Sequence, residues 1–130
     1  MGKARPRAIV LDAGALIAFE RESPRMRALC RQALRSGVRL VVPTPVIAQV
    51  FRDRMRQVPL RALLNGPTTT TPSFDRPLAE ATGTLCGRTR TSDVVDASVV
   101  LVARQERAPV VTSDPDDLAR LDPDLTLERI

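Results

Sequence analysis

Short apolar runs alternate with longer segments of helical periodicity along this chain of 130 residues. The runs Ala8–Leu11 and Pro109–Ser113 are brief, and each is followed directly by a helix-type segment. Such runs are typical of parallel strands that are buried on both faces of an α/β sheet. In Pro24–Ser36, by contrast, apolar residues recur every three or four positions, after the cap Ser23 and before the stop signal Gly37. The pattern therefore predicts strands that alternate with helices.

Extended along the whole chain, this pattern predicts one α/β domain over residues 1–130, with its core at about 8–121 and a mostly parallel sheet of four to five strands. The predicted strands are Ala8–Leu11, Val38–Val42, Thr68–Thr71, Pro109–Ser113 and Leu125–Ile130. The predicted helices are Ala13–Phe19, Pro24–Ser36, Pro45–Gln57, a segment from a cap near Asp75 to about Gly87, residues 93–107 and Pro115–Leu121, with a further helical turn at Leu60–Leu64.

Composition narrows the class of protein. A hydrophobic fraction of 43% suits a compact core, and no apolar stretch approaches the roughly 20 residues that a membrane-spanning helix needs. The basic stretch Met1–Arg7 lacks the apolar centre of a signal peptide, so we expect a cytoplasmic protein without a membrane partner. Cys30 and Cys86 are far apart in a chain without histidine, which favours buried thiols over a zinc site or a disulfide framework.

The formal charge of +5 favours an anionic partner, above all nucleic acid. Phe19, Phe51 and Phe74 are the only aromatic residues, so a stacking platform for single-stranded bases is not expected. If RNA is the partner, charge and shape must hold it.

Three aspartates occupy positions at which a charge needs an explanation. Asp12 ends the first apolar run and Asp114 the fourth, and taken alone each is better explained as a helix N-cap. Asp96 lies in the first turn of an almost wholly apolar helix, where the helix dipole stabilises it by only about 0.3–1 kcal/mol. Burial of an unpaired carboxylate costs several times that, and this helix has no basic residue before Arg104. Metal ligation is the favoured explanation for Asp96, whereas Asp93 suits a cap or an outer-shell role.

The three aspartates together predict a cation site. Parallel α/β sheets bind ligands beyond the carboxyl ends of their strands, where Asp12 and Asp114 both fall. An oxygen-rich acidic site suits Mg²⁺ or Mn²⁺, which can activate water and stabilise charge on a phosphoryl group.

Several other enzyme classes are excluded by what the sequence lacks. Ribonucleases that use imidazole and serine–histidine hydrolases both need a histidine, and there is none. No P-loop is present, Lys3 is the only lysine and cannot serve a receiver domain, and Asp12 does not begin the Asp-x-Asp motif of haloacid-dehalogenase-like phosphatases. Metal-assisted hydrolysis of phosphodiester bonds remains.

Three segments in series resemble the PIN-domain nucleases, particularly the VapC-type toxins of toxin–antitoxin pairs. Val10–Ala18 is similar to their opening strand and acid, Asp93–Val99 to their central acidic helix, and Val110–Leu118 to their final acidic turn. The resemblance covers about residues 8–121. It implies a Rossmann-like three-layer α/β/α domain that cleaves RNA with Mg²⁺ or Mn²⁺, forms a homodimer and is inhibited by a small antitoxin protein.

By that resemblance, Asp12, Asp96 and Asp114 are metal ligands and Asp93 and Asp117 are auxiliary residues. The family usually has a glutamate early in the helix after the second strand, a position that Gln49 occupies here. An amide oxygen can coordinate a metal or hold a ligating water but brings no negative charge, so we expect a lower metal affinity or one cation in place of two. Asp53, one turn further on, is a less favoured substitute.

Three functions stay open at this point. The first is a metal-dependent endoribonuclease, the toxin of a pair, in which Gln49 orients a metal-bound water. The second is a PIN-like module that binds RNA or a protein and whose catalysis Gln49 has weakened or abolished. The third, and least favoured, is a metal-dependent phosphatase of small substrates.

Overall fold

The computed structural model describes residues 6–130; residues 1–5, the first part of the basic N-terminal stretch, lie outside it. Its strands are β1 (Ala8–Leu11), β2 (Arg39–Val41), β3 (Thr69–Thr70), β4 (Val110–Thr112) and β5 (Leu127–Arg129). Its helices are α1 (Ala13–Glu20), α2 (Pro24–Ser36), α3 (Thr44–Val50), α4 (Val58–Leu64), α5 (Arg76–Thr89), α6 (Val94–Glu106) and α7 (Pro115–Leu121).

The five strands form one sheet in the order β3-β2-β1-β4-β5, and every neighbouring pair is parallel. Every residue of β1 and of β4 is buried. Since successive residues of a strand point to opposite faces, helices must cover both faces of the sheet. The predicted α/β fold with a central parallel sheet is confirmed.

Helix α6 forms the centre of one layer. It packs against α3, α5, α7 and β1, and its residues Val99, Val100 and Val102 are at most 1% exposed. The sequence explains this, because α6 is apolar on nearly every side until its last turn. Its first turn, which carries Asp96, is thereby fixed beside the carboxyl end of the sheet.

The predicted helix Pro45–Gln57 is wrong in its second half. Helix α3 ends at Val50, and Phe51 is extended with φ −74° and ψ 129°. The Gln57 amide oxygen accepts from the Arg52 and Asp53 backbone N–H groups at 2.7 and 2.9 Å, and its amide nitrogen donates to the Val50 carbonyl at 3.0 Å. One side chain therefore satisfies the backbone groups that a continued helix would have paired.

The same glutamine ties the 51–57 loop to α1, because its amide nitrogen also donates to the Glu20 carboxylate at 3.1 Å. The loop leaves Met55 84% exposed, although helical periodicity predicted it on an apolar face. Within residues 6–130, no helix is long and apolar enough to cross a membrane.

Gln57→Ala should lower the free energy of unfolding by about 2 kcal/mol, because it removes the partners of several backbone groups at once. Gln32→Ala is the matched control, since the Gln32 amide makes one exposed hydrogen bond to Ser36, and it should change stability by less than about 0.5 kcal/mol. Urea denaturation of both variants measures this. Equal effects would show that Gln57 does not hold the loop.

Candidate active site

The strand order reverses between β1 and β4. From β1 the chain proceeds outward through β2 and β3, then returns to place β4 on the other side of β1. Such a reversal opens a crevice beyond the carboxyl ends of the two central strands. Asp12 directly follows β1, and Asp114 lies two residues after β4. The fold therefore brings these two predicted site residues to one crevice.

Asp12 is the N-cap of α1 and is close to Asp114. Its Oδ1 accepts from the Ala15 backbone N–H at 2.9 Å, and the residue is only 7% exposed. Burial raises the pKa of this carboxyl, hydrogen bonds from the Thr112 hydroxyl and the α1 backbone oppose the rise, and the charge of Asp114 adds to it. The capping and site explanations are thus compatible at this position.

Asp114 begins α7 at the predicted position, but its side chain makes no capping hydrogen bond. Its own backbone N–H donates to Thr112 Oγ1 at 2.9 Å. The capping explanation that the sequence favoured for this carboxylate is therefore wrong. The carboxylate instead faces Asp117, and their hydrogen bond, followed by the charge of Asp114, raises the pKa of Asp117.

Asp96 is half-buried among other acids. Asp93 caps α6 by accepting from the Asp96 backbone N–H at 2.9 Å, so the predicted capping role of Asp93 is confirmed. Burial raises the pKa of Asp96 to about 7, and the charge and hydrogen bond of Asp93 and the charges of Asp117 and Asp12 add to the rise. Acids that follow β1 and that lie at the starts of α6 and α7 thus all raise the pKa of Asp96.

A close approach between two turns holds the crevice together. Gly14, in the first turn of α1, packs against Ser113, which follows β4. A Cβ atom added to Gly14 would overlap Ser113 Oγ and come within 3.0 Å of Ser113 Cβ. Gly14 was not predicted to have a role, although a glycine two residues after Asp12 is a signal of such a close approach.

The donor set of this crevice suits a hard cation. Asp12, Asp96, Asp114 and Asp117 offer carboxylate oxygens, and the one cationic partner within 4.0 Å of these four in residues 6–130 is Arg120, 3.8 Å from Asp117. Carboxylates so placed repel one another, and this repulsion adds to the burial that raises the pKa values of Asp12 and Asp96. In the described part of the chain, however, no three acidic, histidine or cysteine side chains converge as a ready-made metal site. The chemistry fits Mg²⁺ or Mn²⁺, while ligation requires side-chain rotation.

Gln49 is not joined to the acidic residues. It lies exposed near the end of α3, a helix that packs against both α1 and α6, and no hydrogen bond connects it to Asp12, Asp96 or Asp114 in residues 6–130. Asp53 lies in the loop after α3, where it accepts from the Met55 N–H at 2.9 Å and pairs with Arg56 at 3.6 Å. Like Gln49, Asp53 has no hydrogen bond to Asp12, Asp96 or Asp114 in residues 6–130.

A cavity of about 240 Å³ opens beside Asp96 and is also lined by Asp117, Arg90 and Arg120. Larger cavities lie elsewhere, including one of about 560 Å³ against α2, but none of the four aspartates of the acidic cluster, Asp12, Asp96, Asp114 and Asp117, lines them. We place the candidate site by its chemistry and its position in the sheet. The two arginines are functional candidates that the sequence analysis missed.

Comparison with known proteins agrees with this geometry. The family model described as the PIN domain matches residues 9–123. The chain belongs to the PIN domain family. No curated protein matches its sequence. Similar solved structures include VapBC2 from Rickettsia felis, bound to a DNA fragment from their promoter, at 14% identity and a TM-score of 0.72, over 94% of this chain and 98% of that one.

Two further structures share the fold. PAE2754 from Pyrobaculum aerophilum matches at 19% identity and a TM-score of 0.61, over 92% of this chain and 91% of that one. FitAB bound to an IR36 DNA fragment matches at 15% identity and a TM-score of 0.61, over 93% and 94% respectively. At these identities the likeness concerns the PIN fold.

Gly14→Ala should lower the free energy of unfolding by about 1–3 kcal/mol, because the new methyl group overlaps Ser113. Adding Ser113→Ala should restore part of this loss by removing the overlapped oxygen. Gly83→Ala is the control: a Cβ there meets nothing, so alanine should stabilise α5 by up to about 1 kcal/mol. Chemical denaturation compares the variants; a neutral Gly14→Ala would contradict the close approach.

The raised pKa of Asp96 predicts a pH dependence of stability without metal. The folded protein binds this proton more tightly than the unfolded chain, so the contribution is fully present below about pH 4 and is lost as the pH rises through about 7. Asn cannot ionise, so the Tm of Asp96→Asn minus that of wild type, measured in EDTA, should grow between pH 5 and pH 8. A constant difference would contradict this assignment.

Proposed function

We propose that this PIN domain is a metal-dependent endoribonuclease that hydrolyses RNA phosphodiester bonds with Mg²⁺ or Mn²⁺. The observation that carries the proposal is the proximity of Asp12, Asp96, Asp114 and Asp117 at the strand-order reversal, without a matching set of cationic side chains. PIN domains are generally nucleases, which supports the reaction class.

Asp12, Asp96 and Asp114 would hold the metal, with Asp93 and Asp117 as auxiliary residues. The bound cation would supply Lewis acidity, which lowers the pKa of water and offsets charge on the phosphoryl group. Asp12 is kept in place by the Ala15 N–H, and Asp96 by the helix start that Asp93 caps. Rigid elements thereby orient the acids.

RNA is the substrate that the composition of the chain supports. The net charge of +5 attracts a polyanion such as RNA to the protein, although the proposed site itself is acidic. With only three phenylalanines and no other aromatic residue, the protein would recognise its RNA mainly through backbone charge and shape.

We further propose that the chain is a VapC-type toxin with a small antitoxin partner. Two of the similar structures, VapBC2 and FitAB, are toxin–antitoxin complexes, and both match over more than nine-tenths of this chain. A homodimer in the cytoplasm is part of the same proposal.

A binding module with weakened catalysis is the second candidate, and Gln49 is the observation that favours it. An exposed amide on α3 adds no negative charge where the family usually has a glutamate. Under this alternative the protein binds RNA but holds Mg²⁺ too weakly to cut it.

Purified protein should cleave RNA in Mg²⁺ or Mn²⁺ and not in EDTA. Asp96→Asn should lower the cleavage rate by about 100-fold or more, because it removes a charged ligand from the site. Gln49→Glu should lower the Mg²⁺ concentration for half-maximal rate by about tenfold. Gel analysis of labelled RNA measures the rates, and calorimetry measures Mg²⁺ binding.

Asp116→Asn is the matched control for Asp96→Asn. Asp116 is exposed in the first turn of α7, and no hydrogen bond or ion pair joins it to the acidic cluster in residues 6–130. Its variant should keep the wild-type rate. Cleavage by Gln49→Glu alone would favour the binding-module alternative, and cleavage that survives Asp96→Asn would refute the assigned site.

A further inference from the structure

The cavity beside Asp96 contains a residue with an uncommon backbone. Arg90 ends α5 with φ 56° and ψ 39°, in the left-handed region. Glycine usually occupies this position at the end of a helix, because a Cβ atom is disfavoured there. Because Arg90 keeps this conformation at the wall of an acidic cavity, its side chain is a candidate for a functional role.

The guanidinium of Arg90 is unpaired among residues 6–130. Across residues 6–130, no carboxylate lies within 4.0 Å of it and no hydrogen bond from its side chain is present. Arg120, on the same cavity, is 3.8 Å from the Asp117 carboxylate. Of the two arginines that line this cavity, Arg90 is therefore the one without an acidic partner in residues 6–130.

The proposed reaction has an electrostatic requirement that the acids alone do not meet. Asp93, Asp96 and Asp117 line the cavity and repel the phosphates of an incoming RNA. A guanidinium attracts a phosphate and can donate two parallel hydrogen bonds to it. The Thr89 and Thr91 residues that flank Arg90 also line the cavity.

We propose that Arg90 is a phosphate-binding residue, which holds a backbone phosphodiester group of RNA in the cavity beside Asp96. This inference rests on the proposed function, since it names a substrate-binding residue of that same site. Arg90 positions the RNA and takes no part in proton transfer.

The chain offers a closely matched control in Arg107. It ends α6 as Arg90 ends α5, with φ 50° and ψ 45°. It lies eleven residues after Asp96, about 16 Å along the helix axis, at the opposite end of α6. Replacement of either arginine by glycine removes one positive charge and one left-handed non-glycine residue.

The experiment compares Arg90→Gly with Arg107→Gly. Both should have a Tm above that of wild type, because glycine accepts the left-handed backbone without strain. Arg90→Gly should weaken binding of a fluorescein-labelled single-stranded RNA by about tenfold and reduce the salt slope of log K by about 0.7. Arg107→Gly should weaken it less than twofold. Fluorescence anisotropy in EDTA measures affinity, so cleavage does not interfere.

Steady-state cleavage in Mg²⁺ adds a second readout. Arg90→Gly should raise KM for RNA and leave kcat nearly unchanged. Equal loss of RNA affinity in the two glycine variants, or no RNA binding by wild type, would overturn the assignment of Arg90. If wild type binds but does not cut RNA, and only Arg90→Gly loses affinity, the phosphate-binding role stands while the proposed nuclease function fails.

Discussion

Parallel pairing of β1 with β4 is the constraint on which the candidate site depends. It sets Val10 opposite Val110 and Leu11 opposite Val111, so the two strands end at the same edge of the sheet. The turns that follow are then pressed together, with Gly14 against Ser113. A shift of one residue in this pairing would separate Asp12 from Asp114 and turn every side chain of a strand to the other face.

The residues that start helices are also the residues that form the acidic site. Asp12 caps α1, Asp93 caps α6, and Asp114 stands at the start of α7. Helix N-termini stabilise negative charge, which lets several carboxylates lie near one another before any cation neutralises them. Burial and the neighbouring acids nevertheless raise the pKa of Asp96, so the helix terminus offsets only part of the cost of its charge. The carboxylates that cap helices α1 and α6 therefore also belong to the acidic site.

Much of the fold was predictable, because buried strands and amphipathic helices have distinct periodicities. Strand β1 and helices α2 and α7 agree with their predicted bounds. The prediction failed where a nearby side chain competes with the helix for backbone hydrogen bonds: Gln57 pairs with the backbone at the end of α3, which no periodicity shows. Two further features depend on backbone angles that the sequence pattern does not show. The Asp114 side chain does not cap α7, and Arg90 adopts a left-handed backbone. The resemblance of the acidic segments to PIN domains was visible in the sequence. The distances between their carboxylates in the folded protein were not.

The separation of β1 and β4 along the chain has a consequence for how the protein folds. Their paired residues are a hundred positions apart, whereas β1 and β2 pair across only about thirty. Closing the longer loop costs more chain entropy, and contacts of such long range are slow to form. The half of the sheet that contains β1, β2 and β3 can thus assemble while Asp114 is still far from Asp12. A nascent or partly unfolded chain lacks the complete acidic crevice, so the assembled crevice is a property of the fully folded protein.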